Sequence, residues 1–466
     1  MTEAQKDAKI IALENEVAEL RLLVIELQDI IKELRARLDA DSHNSNKPPS
    51  TNGFRKPPKP KSLREKSGKK SGGQPGNPGK TLLRTDTPDH IVVHAPPKAC
   101  DACSALLPPP TIAEKRQVFD LPSIRYEVTE HQSLRAICRC GKLHQGVFPE
   151  NVSAPVQYGP SVFSIAVYLT NQHMMPLQRT TEVFADLFAL PISQSTVVSA
   201  CLKAQERLEP TILAIASSFQ TAPVAHADET GCNIGGSLHW MHILATPLVT
   251  WIGVHKRRGK VAMNAFGIIP TFQGTLVHDG WDSYRGFSCK HALCNAHHLR
   301  ELVACFEQDQ AWAGRMIALL RAACHEVNQT AASVLSHSRR TWYLAEYEKI
   351  LRAGERKHPH LPPSGKRGRT GQSKATNLLG RLRTHVDAVW CFASDSAVPF
   401  TNNLAEQAVR MPKVKQKVSG GFRTEAGARN FCSIRTYVTT MRKQGINVLS
   451  ALASMFRGNV PQPRYS

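Results

Sequence analysis

No stretch of this chain approaches the ~20 consecutive apolar residues needed to cross a bilayer, and its charged N-terminus lacks the apolar core of a signal peptide. The expected location is therefore intracellular. Acidic residues are scarce, with 38 Asp+Glu against 59 Lys+Arg and a formal net charge of +21, a balance that favours a polyanionic partner over a neutral metabolite. A phosphate-binding loop is missing too. In "GGQPGNPGKT" the place where a P-loop needs glycine, five residues before the Gly of Gly-Lys-Thr, holds Gln74. In a reducing compartment the twelve cysteines are thiols or metal ligands in preference to disulfides.

At 466 residues the chain is too long for one ordinary core, so two to four units of roughly 50 to 250 residues are expected. The basic excess is concentrated. Segments 41–84 and 407–443 carry net charges of +9 and +8, seventeen of the twenty-one, the distribution that a phosphate backbone requires.

Ile10, Val17, Val24, Ile31 and Leu38 at a, with Leu13, Leu20, Leu27 and Leu34 at d, keep a strict heptad over residues 1–41. β-Branched residues at a with leucine at d favour a parallel coiled-coil dimer, a leucine zipper. Residues 42–88 follow, rich in Pro, Gly, Ser and Lys, the composition of a disordered cationic linker. Across 89–152 come Cys100 and Cys103, then Cys138 and Cys140 after 34 intervening residues, with strand-like alternation between. Four thiolates of this kind can close a structural Zn²⁺ site, and His144 is an alternative fourth ligand. Over 153–222 the periodicity turns helical. "TTEVFADLFALPISQSTVVSACLKA" reads as helix, turn at Leu190 and Pro191, and a second helix capped by Ser193 or Ser195, a helix-turn-helix outline or a packed hairpin.

From about residue 223 short strands take over: "PVAHADETGCNI", "LHWMHILATP", "VTWIGVHKRR", a helix from Lys260, then "GTLVHDGWDSY". Three meandering strands, a helix and a further strand open a ribonuclease H-like α/β fold. There the first and fourth strands end side by side, so that Asp228 and Asp279 face one point. A third acid must come from a later helix, and Glu406 in "VPFTNNLAEQAVR" is the candidate. The plain alternative makes Asn403 and Glu406 a helix capping box, with Arg410 one turn on as an i,i+4 partner. Three carboxylates together suit a pair of Mg²⁺ ions acting on a phosphodiester. Arg410, Lys413, Lys415, Lys417 and Arg423 can supply the cationic surround that admits DNA, as can Lys256, Arg257 and Arg258 of "VHKRRGK".

These motifs in this order, with "NSNKPPS", "GKKSGGQPGNPGK", "CNAHHLRE", "KVKQKVSGGFRTEAGARNF" and "MRKQGINVLSAL", resemble a bacterial transposase of the insertion-sequence sixty-six family, of the DDE class. The resemblance implies that Asp228, Asp279 and Glu406 are the catalytic, metal-binding triad for Mg²⁺ or Mn²⁺, with Glu229 and Asp282 the nearest rivals. It implies a mostly helical insertion at about 301–394 within a catalytic domain at 223–445, which accounts for the 126 residues between Asp279 and Glu406, and leaves 446–466 as a C-terminal tail. Cys294 and His297 resemble a C-x-x-H motif found after the second acid in several DDE groups, either a stray zinc pair or a buried structural contact.

The expected protein is multidomain. Coiled coil, basic linker, zinc-binding β unit and helix-turn-helix-like unit precede the ribonuclease H-like core. Its expected partners are the terminal inverted repeats of the element, target DNA, a second copy of the chain and accessory proteins of the same element. No membrane partner is expected. A cytoplasmic location follows, associated with the nucleoid when DNA is bound. The other readings are a non-catalytic zinc and zipper DNA-binding regulator and a ribonuclease H-like nuclease that cuts without joining.

Overall fold

The computed structural model describes residues 82–122, 124–362 and 371–465, together with helical positions scattered between 16 and 31. Val17, Leu20, Val24, Leu27 and Ile31 of the expected heptad are helical, and each exposes about half of its surface. The other heptad positions, and the linker as far as residue 81, lie outside the described residues.

Strands β1 (Arg135–Ile137) and β2 (Leu143–Gln145) form an antiparallel hairpin whose connecting turn carries Cys138 and Cys140. Ile91, Val92, Val118, Leu121, Val128 and Ile137 are all exposed, so this segment buries little apolar surface of its own. Helices α1 (Pro160–Val167), α2 (Leu177–Phe188) and α3 (Gln194–Ser218) follow. Ala189 ends α2 in the left-handed region at φ 51°, and the Ser193 hydroxyl caps α3 by accepting the Thr196 N–H at 3.1 Å. Ala200, Ala204, Leu208, Thr211 and Ile215 recur about every fourth residue and bury one face of α3.

The centre is a five-stranded mixed sheet of order β5-β4-β3-β6-β7, built from β3 (Val224–Ile234), β4 (Ser237–Ala245), β5 (Thr250–His255), β6 (Thr275–His278) and β7 (Lys290–Leu293). Gly235 and Gly236, at φ 55° and 82°, make the two-residue turn that lets β4 fold back on β3. Strands β3, β4 and β5 run antiparallel, and β6 and β7 run parallel to β3. The parallel crossover is short, through α4 (Lys260–Phe266) and one more helical turn. Because β6 pairs with the start of β3 and stops at His278 while β3 runs on to Ile234, the turn after β6 lies beside the middle of β3.

Between β7 and the next core helix lies a helical block: α5 (Asn295–Phe306), α6 (Ala311–Gln329), α7 (His337–Lys357) and α8 (Lys374–Thr384). It has its own core around Trp312, Tyr347, Leu382 and Trp390, continuous with Val277 and Leu293 of the sheet. Helix α9 (Asn403–Ser419) then lies along β3. Its buried face is Ala405, Ala408 and Pro412, small enough for close approach, and Gln416 Nε2 donates to the Gly231 carbonyl at 2.8 Å. Gly421, at φ 137°, brings the chain so near β3 that a Cβ would stand 2.5 Å from the Asn233 carbonyl oxygen.

Helix α10 (Glu425–Lys443) covers the outer strand. Its Thr436 and Thr440 hydroxyls accept the Ile252 and Thr250 N–H groups at 2.9 and 3.1 Å, satisfying donors that an edge strand would leave open. Helix α11 (Val448–Phe456) lies in the segment expected as a tail. Its Leu452, Met455 and Phe456 are buried in one core with Val197 and Leu208 of α3 and Tyr437 of α10. Arg207 reaches from α3 to the Phe456 carbonyl at 2.6 Å. The three helices before the sheet and the two after it therefore share an interior. Among the described residues no helix is long and apolar enough to cross a membrane.

Candidate functional site

Strand alternation puts Asp228 and Glu229 of β3 on opposite faces of the sheet. The β3–β6 pairing ends at His226↔Val277, and carrying that register two residues on brings Asp228 beside Asp279. Asp279 sits in the turn after β6, where its Oδ1 accepts the Trp281 N–H at 2.9 Å. Behind it, His278 Nδ1 accepts the Gly280 N–H at 3.1 Å, so His278 Nε2 carries the proton donated to His291 Nδ1 at 3.1 Å. Burial holds His278 neutral, its pKa lowered to about 3.

The Asp228 carboxyl is pushed well above the usual carboxylate range, first by burial and then by the charges of Glu229, Asp279 and Glu406. Its Oδ1 accepts the Glu229 N–H at 2.8 Å. Among the described residues neither Asp228 nor Asp279 has a salt bridge. The two rivals are already engaged. Glu229, whose side chain is 2% exposed, pairs with Arg258 and accepts from the Tyr284 hydroxyl. Asp282 is 86% exposed and pairs with Arg285.

Arg258 donates to Glu229 through Nε at 3.0 Å and lies between the rings of Trp240 and Trp281, 4.6 and 4.0 Å from their centroids. Arg258→Ala leaves a buried carboxyl with one partner fewer. We expect a loss of about 2–4 kcal/mol in urea denaturation, less than for a fully enclosed pair because Arg258 is 38% exposed.

Glu406 stands in the first turn of α9, where negative charge is favoured. The capping box is not formed. Asn402, not Asn403, is the cap residue, and its side chain turns away from the helix to β3, Nδ2 donating to the Ala227 carbonyl at 2.8 Å. Oδ1 is then the acceptor, so His226 donates to it from Nδ1 at 2.9 Å. Burial lowers the His226 pKa to about 4 and keeps it neutral. The Asn402 N–H meets Cys294 Sγ at 3.1 Å. The Glu406 carboxylate faces Cys294 Sγ at 3.6 Å and His297 Nδ1 at 3.7 Å on Oε1, and Arg300 at 4.0 Å on Oε2. The capping residue and the C-x-x-H motif therefore both lie against the start of the helix that carries Glu406. The polarity of "NN" in "TNNLAEQ" is the signal present in the sequence, but which Asn turns inward depends on packing against β3.

A family described as "Transposase IS66 family" matches residues 155–430, more than half of the chain and all of this site. The chain belongs to the IS66 transposase family. Residues 3–82 match a family of unknown function, DUF6444. No curated protein matches the chain. Membership gives the chain the role of a transposase, a DNA-processing enzyme that uses divalent metal.

In this transposase the candidate DNA-binding residues are not equivalent. Arg410, Lys417, Arg423, Lys256 and Arg257 are exposed. Lys413 donates to the Gly231 carbonyl at 3.2 Å, and burial lowers the pKa of both Lys413 and Lys415. The zinc candidates fall into two local pairs. Cys100 lies beside Cys103, and Cys138 beside Cys140. Among the described residues the group of three or more donor side chains within 4.8 Å of one another is Cys294, His297 and Glu406, so within that distance the structure brings together neither the two cysteine pairs nor Asp228, Asp279 and Glu406.

Proposed function

We propose that this transposase is a ribonuclease H-like DDE enzyme that cleaves the ends of its element and joins the freed 3′-OH to target DNA. The observation that carries the reading is the Asp228 carboxyl, half-buried, desolvated and without a salt bridge among the described residues, in the field of Asp279 and Glu406. Such an all-oxygen donor set fits a hard divalent cation. Asp228, Asp279 and Glu406, drawn together around it, would hold Mg²⁺ or Mn²⁺, which would supply Lewis-acid activation of the attacking oxygen and stabilisation of the leaving one. The chain's own residues do the rest. Asn402 fixes the start of α9 against β3 and so orients Glu406. The exposed cations Arg410, Lys417, Arg423, Lys256 and Arg257 offset the repulsion between a phosphodiester and the acids.

We assign the half-exposed stripe from Val17 to Ile31 to pairing with a second copy, so that two DNA ends meet in one complex; sedimentation of the full chain checks it. The exposed apolar residues of 89–152 favour a segment that folds around Zn²⁺ held by Cys100, Cys103, Cys138 and Cys140, and a closing motion would have to bring the pairs together. This unit and the α2–α3 hairpin are assigned to terminal-repeat binding, with accessory proteins of the element as further partners in the cytoplasm. The test is incubation of the full chain with end-bearing oligonucleotides, target DNA and Mg²⁺. Joined products are expected. Cleavage without joining leaves a nuclease, and salt-sensitive binding with neither product leaves a regulator.

A further inference from the structure

We propose that Cys294, His297 and Glu406 form a site for a thiophilic divalent cation of the Zn²⁺ class, which takes Glu406 away from the magnesium-binding set and so switches the enzyme off. The first half stands on geometry alone. The second rests on the proposed function.

A tetrahedral zinc with bonds of ~2.3 Å to sulfur and ~2.0 Å to nitrogen and oxygen separates its ligand atoms by roughly 3.3–3.6 Å. The Glu406 Oε1 atom lies 3.6 Å from Cys294 Sγ and 3.7 Å from His297 Nδ1. All three donor atoms fall within 4.8 Å of one another, so a small swing of the imidazole closes the remaining edge. His297 Nδ1 is buried and has no hydrogen-bond partner, a cost that a bound cation removes.

The backbone prepares the site. Cys294 caps α5 and His297 is in its first turn, while Glu406 is in the first turn of α9. The two helix starts are tied by the Asn295 N–H to the Phe400 carbonyl at 3.1 Å and by the Asn402 N–H to Cys294 Sγ at 3.1 Å. One sulfur, one nitrogen and one oxygen suit zinc and are wrong for magnesium, which takes oxygen ligands. Without metal the Cys294 thiol stays protonated, pushed up to about 12 by burial and by Glu406. Binding would release that proton to the buffer. Three protein ligands leave a fourth position for water.

The test uses full-length protein carrying Cys100→Ser, Cys103→Ser, Cys138→Ser and Cys140→Ser, which removes the competing N-terminal thiols from a segment whose apolar residues lie outside the buried core. Cobalt(II) is the probe, since a thiolate ligand gives a sulfur-to-cobalt charge-transfer band. One equivalent is expected to produce that band, and Cys294→Ser to abolish it. His297→Ala should weaken cobalt binding by at least the factor that loss of an outer-shell partner costs, about 10–100-fold. No thiolate band in the parent protein overturns the site without recourse to any core variant. A band that survives Cys294→Ser, or binding unchanged by His297→Ala, overturns it as well. In the unsubstituted full chain added Zn²⁺ should inhibit Mg²⁺-dependent strand transfer, and dilution into zinc-free buffer should restore it. Strand transfer that zinc leaves untouched while the band is present overturns the switch. A band in a protein that joins no DNA under any metal sinks the transposase mechanism and leaves the site standing.

Discussion

Asp228→Asn is expected to lower strand transfer by at least about 10³-fold, some 4 kcal/mol of barrier, while raising the melting temperature measured without divalent metal. Both effects come from one fact. The carboxyl is desolvated beside other acids and has no salt bridge among the described residues, so the fold tolerates it at a cost. Asparagine keeps an oxygen in place to accept the Glu229 N–H and removes the charge. The sign of the pH dependence follows from the raised folded value. Below the ordinary carboxylate range both states are protonated and the aspartate costs little. As pH rises through that range the unfolded chain ionises first, and the wild type loses stability until the folded carboxyl ionises too. The gap between variant and wild type therefore opens from acid to neutral pH. For a domain of this size each kcal/mol moves Tm by about 2–4 °C. Undiminished joining by Asp228→Asn would refute its assigned role, and an unchanged Tm would refute the account of its burial.

The second large effect is expected at a residue with no chemistry of its own. Asn402→Ala should slow strand transfer by about 10–100-fold, the usual cost of losing a partner that orients a ligand, and raise the Mg²⁺ concentration needed for half-maximal rate. DNA affinity should hold, because Asn402 is 1% exposed and touches β3 instead of solvent. The Ala227 carbonyl and His226 Nδ1 lose their partners, for about 1–3 kcal/mol of stability. Lower stability alone would not move the metal requirement. An unshifted Mg²⁺ dependence would reduce Asn402 to a packing residue.

Much of this arrangement could be read from local pattern. Strand alternation in "HADETG" and "LVHDG" and the two-glycine turn after Ile234 are nearest-neighbour properties, and the Ser193 cap is decided within three residues. What escaped the reading depends on distant partners. Asn403 has the better capping-box spacing, yet Asn402 is the inward residue because α9 meets β3, far off in the sequence. The C-x-x-H motif has no assignable purpose until α5 and α9 abut and Glu406 arrives between its side chains. "VLSALASMF" is too short to announce a core helix, and its apolar face is explained by α3, about 250 residues earlier. The basic run after Glu406 reads as uniform, but the helix rotates Lys413 and Lys415 inward and leaves Arg410 and Lys417 outside.

The interior shared by the helices before the sheet and those after it bears on how the molecule is made. A ribosome delivers Asp228 and Asp279 long before Glu406, and the helices that seal β5 and bury α3 follow later still. Contacts between such remote parts of a chain close slowly, since their loop entropy is lost before any contact repays it. A polypeptide cut short before α9 thus lacks both Glu406 and the lid of its hydrophobic centre.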